Sequence, residues 1–226
     1  MVRINNRLIR RKLFLIVDTE TFGTFTEPIC YDIGFAVIDK TGKVYAKYSF
    51  VVQDTFLGMA EQAKTAYYAD KFPQYHSDIR EGKRKCVSFS LIRQVANGLL
   101  LKYKISNVVA HNANFDCTSL NYTARILGFP SFFIHHVEWW DTLQMVDDTI
   151  CQQVGYKQFC LDNGYMTKHK NPRPQMKAEV IYRFITRNND FVESHTGLED
   201  VLIEKEIFAS CFRCHKKMRH SFYVYR

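Results

Sequence analysis

Two carboxylates one residue apart, Asp18 and Glu20, stand at the end of an apolar run from Leu13 to Val17. A short run of this kind, bounded by charge before it and by Gly23 after it, reads as a buried strand. Side chains alternate along a strand, so positions 18 and 20 face the same way. Two acids on one face at the end of a buried strand repel each other and resist leaving water. A divalent cation offsets both costs, because hard cations favour carboxylate oxygen. The simpler reading is a strand that runs out into a polar loop. Further acids arriving at the same point would decide between the two.

Two other stretches supply such acids. Asp116 closes His111-Asn112-Ala113-Asn114-Phe115-Asp116, which follows the short apolar run Asn107 to Ala110. A strand leading into a helix places Asp116 in the first helical turn, where a carboxylate is favoured, although a plain helix-start acid would look the same. The last stretch runs from His195 to Asp200. Thr196 with Glu199 matches a capping box, so His195 lies just before the cap and Asp200 one turn inside. Both then reach one opening, a solvated histidine and a surface acid being the alternative.

The elements that must position these residues follow from periodicity. Tyr31 to Ile38 and Val44 to Val52 read as strands joined by a turn at Asp39 to Lys43, which with the first strand makes an antiparallel meander. Phe56 to Tyr68 reads as a helix with Phe56, Met59, Ala60, Ala63 and Tyr67 on one face, and residues 70–87, with Lys83-Arg84-Lys85, as a surface loop. Ser88 to Tyr103 is an amphipathic helix, Asn107 to Ala110 a strand, Phe115 to Leu127 a helix and Val137 to Trp140 a strand, with a helix starting at Asp141. Residues 162–177 are irregular and basic, and helices are expected from Met176 to about Arg187 and from Thr196 to about Phe212. Three antiparallel strands and then strand–helix alternation predict one mixed α/β domain over residues 1–226, with a basic tail from about Cys211.

The 226 residues carry 31 Lys and Arg against 23 Asp and Glu, a net charge of +8 that favours a polyanionic partner. No apolar run approaches a membrane span, and Met1 to Lys12 is too polar around Asn5 and Asn6 for a signal peptide, so the expected location is the cytoplasm. In a reducing compartment the seven scattered cysteines serve as small buried apolar residues. Cys211, Cys214 and His215 match the c-type haem attachment spacing, but that chemistry needs export, and a zinc site using Cys211, Cys214 and His220 lacks a fourth ligand. The better reading is a helix end whose basic residues, Arg213 to Arg219, can touch phosphates. Asp141, Asp147 and Asp148 read as solvated or helix-capping acids.

In order and context, Asp18-Thr19-Glu20, His111 to Asp116 and His195 to Asp200 resemble the three motifs of the DnaQ-like 3′–5′ exonucleases, in the His-containing branch of the DEDD superfamily. The resemblance implies a ribonuclease H-like mixed sheet with helices on both faces. It implies that Asp18, Glu20, Asp116 and Asp200 hold two Mg²⁺ or Mn²⁺ ions, with Asp18 between them, Glu20 and Asp200 completing one site and Asp116 the other. His195 would take the proton of the attacking water, a task suited to a group titrating near neutrality. Paired metal ions of this kind clamp the attacking and leaving oxygens of a phosphodiester displacement. Backbone groups of Thr19 and Thr21, with Phe22, His111, Asn112 and Phe115, are implied contacts of the terminal nucleotide, although Phe115 reads more readily as a core residue. Two departures stand out. Phe22 follows Thr21 where the family often has a small residue before glycine, and the interval from Asp116 to His195 is long and contains the basic loop. The function implied is a metal-dependent exonuclease acting on single-stranded 3′ ends, DNA before RNA, with a polymerase or another replication or repair protein as partner and no membrane. An RNA-trimming exonuclease of the same fold is the first alternative. A non-catalytic nucleic-acid-binding subunit is the second, disfavoured because all five catalytic positions are filled.

Overall fold

The computed structural model describes residues 11–193 and 195–221; the basic segment Met1 to Arg10 and residues 222–226 of the tail lie outside the described residues. The first strand, β1 (Leu13–Gly23), is apolar on both sides, with Leu15 and Val17 in one core and Phe14 and Ile16 in another. A strand sandwiched between two helical layers needs such an uninterrupted run. It pairs antiparallel with β2 (Pro28–Asp39), which pairs antiparallel with β3 (Val44–Val52). This is the expected meander.

The next segment departs from expectation. Residues 53–71 do not form one helix but two single turns, α1 (Gln53–Phe56) and α2 (Ala60–Ala63), followed by a 3₁₀ turn, Ala69–Lys71. Backbone closes in at Gly58, where an added Cβ would lie 2.3 Å from the Asp54 carbonyl oxygen. The expected loop at 70–87 contains a helix, α3 (Phe72–Arg80), with Pro73 in its first turn, and a short strand, β4 (Cys86–Val87). Proline's fixed φ suits that helical position, so Pro73 marks a start rather than a break. The Lys83-Arg84-Lys85 cluster is also less free than expected. Lys83 pairs with Glu81, and Arg84 pairs with Asp78 at 3.0 Å and Asp32 at 3.6 Å.

From there the periodicity reading and the structure agree closely, apart from a helix over Val154–Asp162 that the reading did not single out. Helix α4 (Phe89–Tyr103) is capped by the Ser88 hydroxyl, which accepts from Leu91 N at 3.3 Å. Strand β5 (Asn107–Ala110) leads into α5 (Ala113–Ile126), and β6 (Glu138–Asp141) into α6 (Thr142–Asp148). Then follow α7 (Val154–Asp162), α8 (Ala178–Thr186) and α9 (Gly197–Arg213). The sheet order is β4-β3-β2-β1-β5-β6, with β5 parallel to β1 and β6 parallel to β5. Apolar residues of α4 and α5 pack on one face, and those of α6, α7, α8 and α9 on the other. At the end of the described tail, Arg219, one of the basic residues expected to touch phosphates, is paired within the fold. Arg219 binds Asp147 at 2.6 Å and Asp148 at 2.8 Å, and His220 stacks on Trp140 at 3.9 Å. Among the described residues no helix is long and apolar enough to cross a membrane, and all seven cysteines are free thiols.

Candidate active site and metal centre

Because β1 is central and alternates, Asp18 and Glu20 emerge on the face covered by α9. They lie opposite Gly34 and Asp32 of β2. Helix α9 reaches this point by a backbone contact. A Cβ on Gly34 would fall 2.0 Å from the Gly197 carbonyl oxygen, and one on Gly197 would fall 2.6 Å from Gly34 N. Only two glycines allow that approach, which brings the first turn of α9, and with it Asp200, against β1.

The start of α9 is fixed from the sheet rather than by the expected capping box. Thr196 occupies the N-cap position but makes no side-chain capping bond. Instead Asp32, fully buried, accepts from Gly197 N at 3.2 Å, from Ile33 N at 3.0 Å and from the Tyr75 hydroxyl at 2.6 Å. A buried carboxylate with several donors and a neighbouring guanidinium makes a rigid bracket. His195 then precedes the helix in a left-handed conformation, φ 50°. Its ring stacks on Tyr68, centroids 4.2 Å apart, and its Nδ1 lies 3.8 Å from a Glu193 carboxylate oxygen.

Asp116 arrives from the opposite layer, on the first turn of α5. Thr19 points to that side of β1, and its hydroxyl donates to Asp116 Oδ1 at 2.9 Å while also meeting Ser119 Oγ at 2.9 Å. Thr19 is buried, so its side chain fixes the orientation of the Asp116 carboxylate. The turn before α5 is braced at several points. Asn112 adopts φ 67°, and its N–H donates to Asp141 Oδ1 at 3.0 Å, the same oxygen that caps α6 through Leu143 N. The His111 ring lies between Thr142 Oγ1 at 2.9 Å and the Met176 carbonyl at 2.7 Å. A carbonyl only accepts, so Nε2 carries the proton.

These segments line an open cleft of about 620 Å³ containing Asp18, Glu20, His111, Phe115, Asp116, His195 and Asp200. Ligand atoms of Glu20, His195 and Asp200 lie within 4.8 Å of one another. Thr21 is half-buried on β1. Phe22 needs correcting as a nucleotide contact: it is 3% exposed and packs with Tyr31, Val51, Phe56 and Tyr75 under α3. An aromatic beside the motif looks the same in sequence whether it faces substrate or core. Asn112 acts through its backbone, and its side chain is not among those lining the cleft. Phe115 is half-exposed at the cleft beside Phe25, ring centroids 5.7 Å apart.

Sequence reading missed several residues of the cleft: Tyr67, Tyr68, Lys177, Glu179, Glu193 and Glu204. Only Glu204 left a usable signal, since it stands four residues after Asp200 and so on the same helix face.

Crowded, desolvated carboxylates hold their protons. Burial pushes Asp116 up to about 7, Asp200 up to about 8 and Glu20 up to about 9. Burial also raises Asp18 and Glu204 well above the carboxylate range, and among its neighbours Glu204 repels the Asp18 charge most strongly. Two buried carboxylate oxygens, Asp200 Oδ1 and Glu204 Oε2, have no hydrogen-bond partner. An oxygen-rich donor set with orphaned, mutually repelling carboxylates fits a hard divalent cation. Burial lowers His195 from the ordinary imidazole value, with Lys71 adding to the effect, so the ring is neutral at neutral pH.

No family model matches the sequence, and no curated protein is similar enough in sequence to count as a relative. Solved structures do match. A full-length 3′-exonuclease aligns at TM-score 0.59 and 11% identity over 95% of this chain and 88% of that one. Cell-death related nuclease 4 (CRN-4) aligns at TM-score 0.53 and 11% identity, over 93% of this chain and 67% of that one. The zinc-bound form of the E. coli Exonuclease I complex with single-stranded DNA aligns at TM-score 0.52 and 16% identity over 87% of this chain, which spans only 40% of that one. At these identities the likeness is one of fold. It is the ribonuclease H-like fold of these nucleases, with the meander, the parallel strands and helices on both faces.

Proposed function

We propose that this chain, built on the fold of the exonucleases, is a metal-dependent 3′–5′ exonuclease that removes nucleotides from single-stranded 3′ ends, DNA in preference to RNA. The observation that carries the reading is the convergence of Asp18, Glu20, Asp116 and Asp200, with His195, from β1, α5 and the start of α9 into one open cleft. Asp18 would sit between two Mg²⁺ or Mn²⁺ ions, Glu20 and Asp200 would complete one site and Asp116 the other. Two such ions supply Lewis-acid stabilisation to the attacking and leaving oxygens of phosphodiester hydrolysis. His195, neutral at working pH, accepts the proton of the attacking water. Tyr68 holds the imidazole plane by stacking. Thr19 keeps Asp116 in place, and Phe115 with Phe25 offers an aromatic surface on which a terminal base can stack without being read. His111 lines the same opening, and Thr21 follows Glu20 along β1. The exonuclease neighbour bound to single-stranded DNA and zinc supports the choice of a single-stranded DNA substrate and of a metal site. Seven free thiols suit the reducing cytoplasm.

The test is digestion of end-labelled DNA and RNA oligonucleotides with Mg²⁺, with EDTA, and by Asp18→Ala, beside circular single-stranded DNA. Stepwise loss from the 3′ end, abolished by EDTA and by Asp18→Ala, is expected, with the circle resistant. Cutting of the circle at a comparable rate would show an endonuclease. Faster digestion of RNA would move the reading to an RNA-trimming enzyme, and binding without cleavage to a non-catalytic subunit.

A further inference from the structure

Glu204 belongs to none of the three motifs, yet it stands where their acids meet. It lies one helical turn beyond Asp200 on α9, is 3% exposed and lines the same cleft. Its two oxygens have different surroundings. Oε1 accepts the backbone N–H of His111 at 3.1 Å, whereas Oε2 is buried with no hydrogen-bond partner. A buried carboxylate oxygen left unpaired is among the more expensive arrangements in a folded protein. Apart from Asp200 and Ser210, the other buried residues on α9 are glycine or apolar, Val201, Ile203, Ile207 and Phe208 among them. An apolar side chain at 204 would fill the space without that penalty. What an apolar residue cannot do is present an oxygen to Asp18 and Asp116 from the α9 side.

We infer that Glu204 is a fifth carboxylate of the cation site, giving Oε2 to a bound divalent ion while Oε1 ties the ion to the His111–Asn112 turn. The inference rests on the metal-dependent reading above. In this arrangement occupancy of the site bears on more than the four motif acids. The turn that sets the start of α5, and so the position of Asp116, is held by the same carboxylate that meets the ion. Cation binding therefore stiffens the link between α9 and α5, two helices on opposite faces of the sheet.

The test uses Mn²⁺ titration by calorimetry and the Mn²⁺-induced rise in Tm, on wild type, Glu204→Gln, Glu204→Asp and Asp200→Asn. Glu204→Gln keeps the shape and an acceptor for His111 N–H and removes the charge. Glu204→Asp keeps the charge and withdraws the oxygen by one methylene. Both are expected to weaken Mn²⁺ binding by about tenfold or more, with a smaller Tm rise, as Asp200→Asn does. Wild-type affinity in Glu204→Gln beside a weakened Asp200→Asn would overturn the inference and leave the metal-dependent reading standing. Weakening in Glu204→Gln but not in Glu204→Asp would show charge acting from a distance, and would overturn the role as a ligand. Unchanged affinity in all three variants would remove both readings.

Discussion

At the scale of single residues, the acids of β1 were legible because strand alternation fixes which side chains share a face. Asp116 and Asp200 were legible because a helix start is a recognisable place for a carboxylate. What a residue faces was harder to read. Phe22 and Phe115 are both aromatics beside a motif, yet Phe22 is 3% exposed while Phe115 borders the cleft. Tyr68 against His195 was not legible, since the two residues meet across a long stretch of sequence, through a segment without periodicity. Their stacking bears on the pH profile. Burial and Lys71 lower the His195 pKa, so the wild-type rate should rise with pH through a group titrating below the ordinary histidine value of about 6.5. His195→Ala should lower single-turnover rates by about 10²–10⁴-fold and lose that limb, while Mn²⁺ titration stays near wild type. A His195→Ala variant that turns over normally would assign the proton to another group.

Elements were read well where one face is apolar and poorly where chain packs against chain. Helices α4, α5, α8 and α9 each carry a stripe that fits the sheet, and their ends fell within a few residues of expectation. The segment 53–71 breaks into turns, one of them tight enough at Gly58 to bring its backbone against the Asp54 carbonyl, a feature that leaves no mark in hydrophobic periodicity. Asp32 shows the same limit. It looks like one more polar residue on a strand, yet it connects β2, α3, Arg84 and the start of α9. Asp32→Ala should cost roughly 3 kcal/mol or more, measured by chemical denaturation, because it leaves buried N–H and O–H donors without their acceptor and takes away one of Arg84's two carboxylate partners. Activity of the folded fraction should fall too, as the turn bearing His195 loses its bracket. The basic loop between α7 and α8 is a second element with a testable role. Lys168, Lys170 and Arg173 are exposed, and the loop's end at Met176 is tied to the His111 ring beside the cleft. Neutralising the three should weaken single-strand binding and reduce its salt slope by about 0.7 for each phosphate that is no longer paired, measured by anisotropy across salt concentrations. Turnover at saturating substrate should hold.

For the molecule as a whole, charge is divided. The sequence carries a net +8, whereas acids predominate in the cleft, so the chain attracts a polyanion that the site repels until cations are present. Folded-state values of about 7 for Asp116, 8 for Asp200 and 9 for Glu20 lie above those of unfolded carboxylates, near 4. Groups raised in this way contribute stability below their unfolded values and lose it as pH rises through the folded ones. In EDTA the Tm should therefore fall from about pH 6 to pH 9, and the rise caused by Mn²⁺ should grow over the same range. Asp39, held down to about 2 by hydrogen bonds from Thr41, Tyr45 and Arg11, contributes a constant amount there. A flat Tm in EDTA would mean that the acids are not jointly buried. The paired glycines at the meeting of β2 and α9 add a different consequence. A saturation-mutagenesis map scored by activity would rank Gly34 and Gly197 with the acids, although neither carries an atom for the reaction. Scored by thermal survival the two groups would part: neutralised acids would persist, and substituted glycines would vanish from the library. What those two positions give the fold is the absence of a side chain.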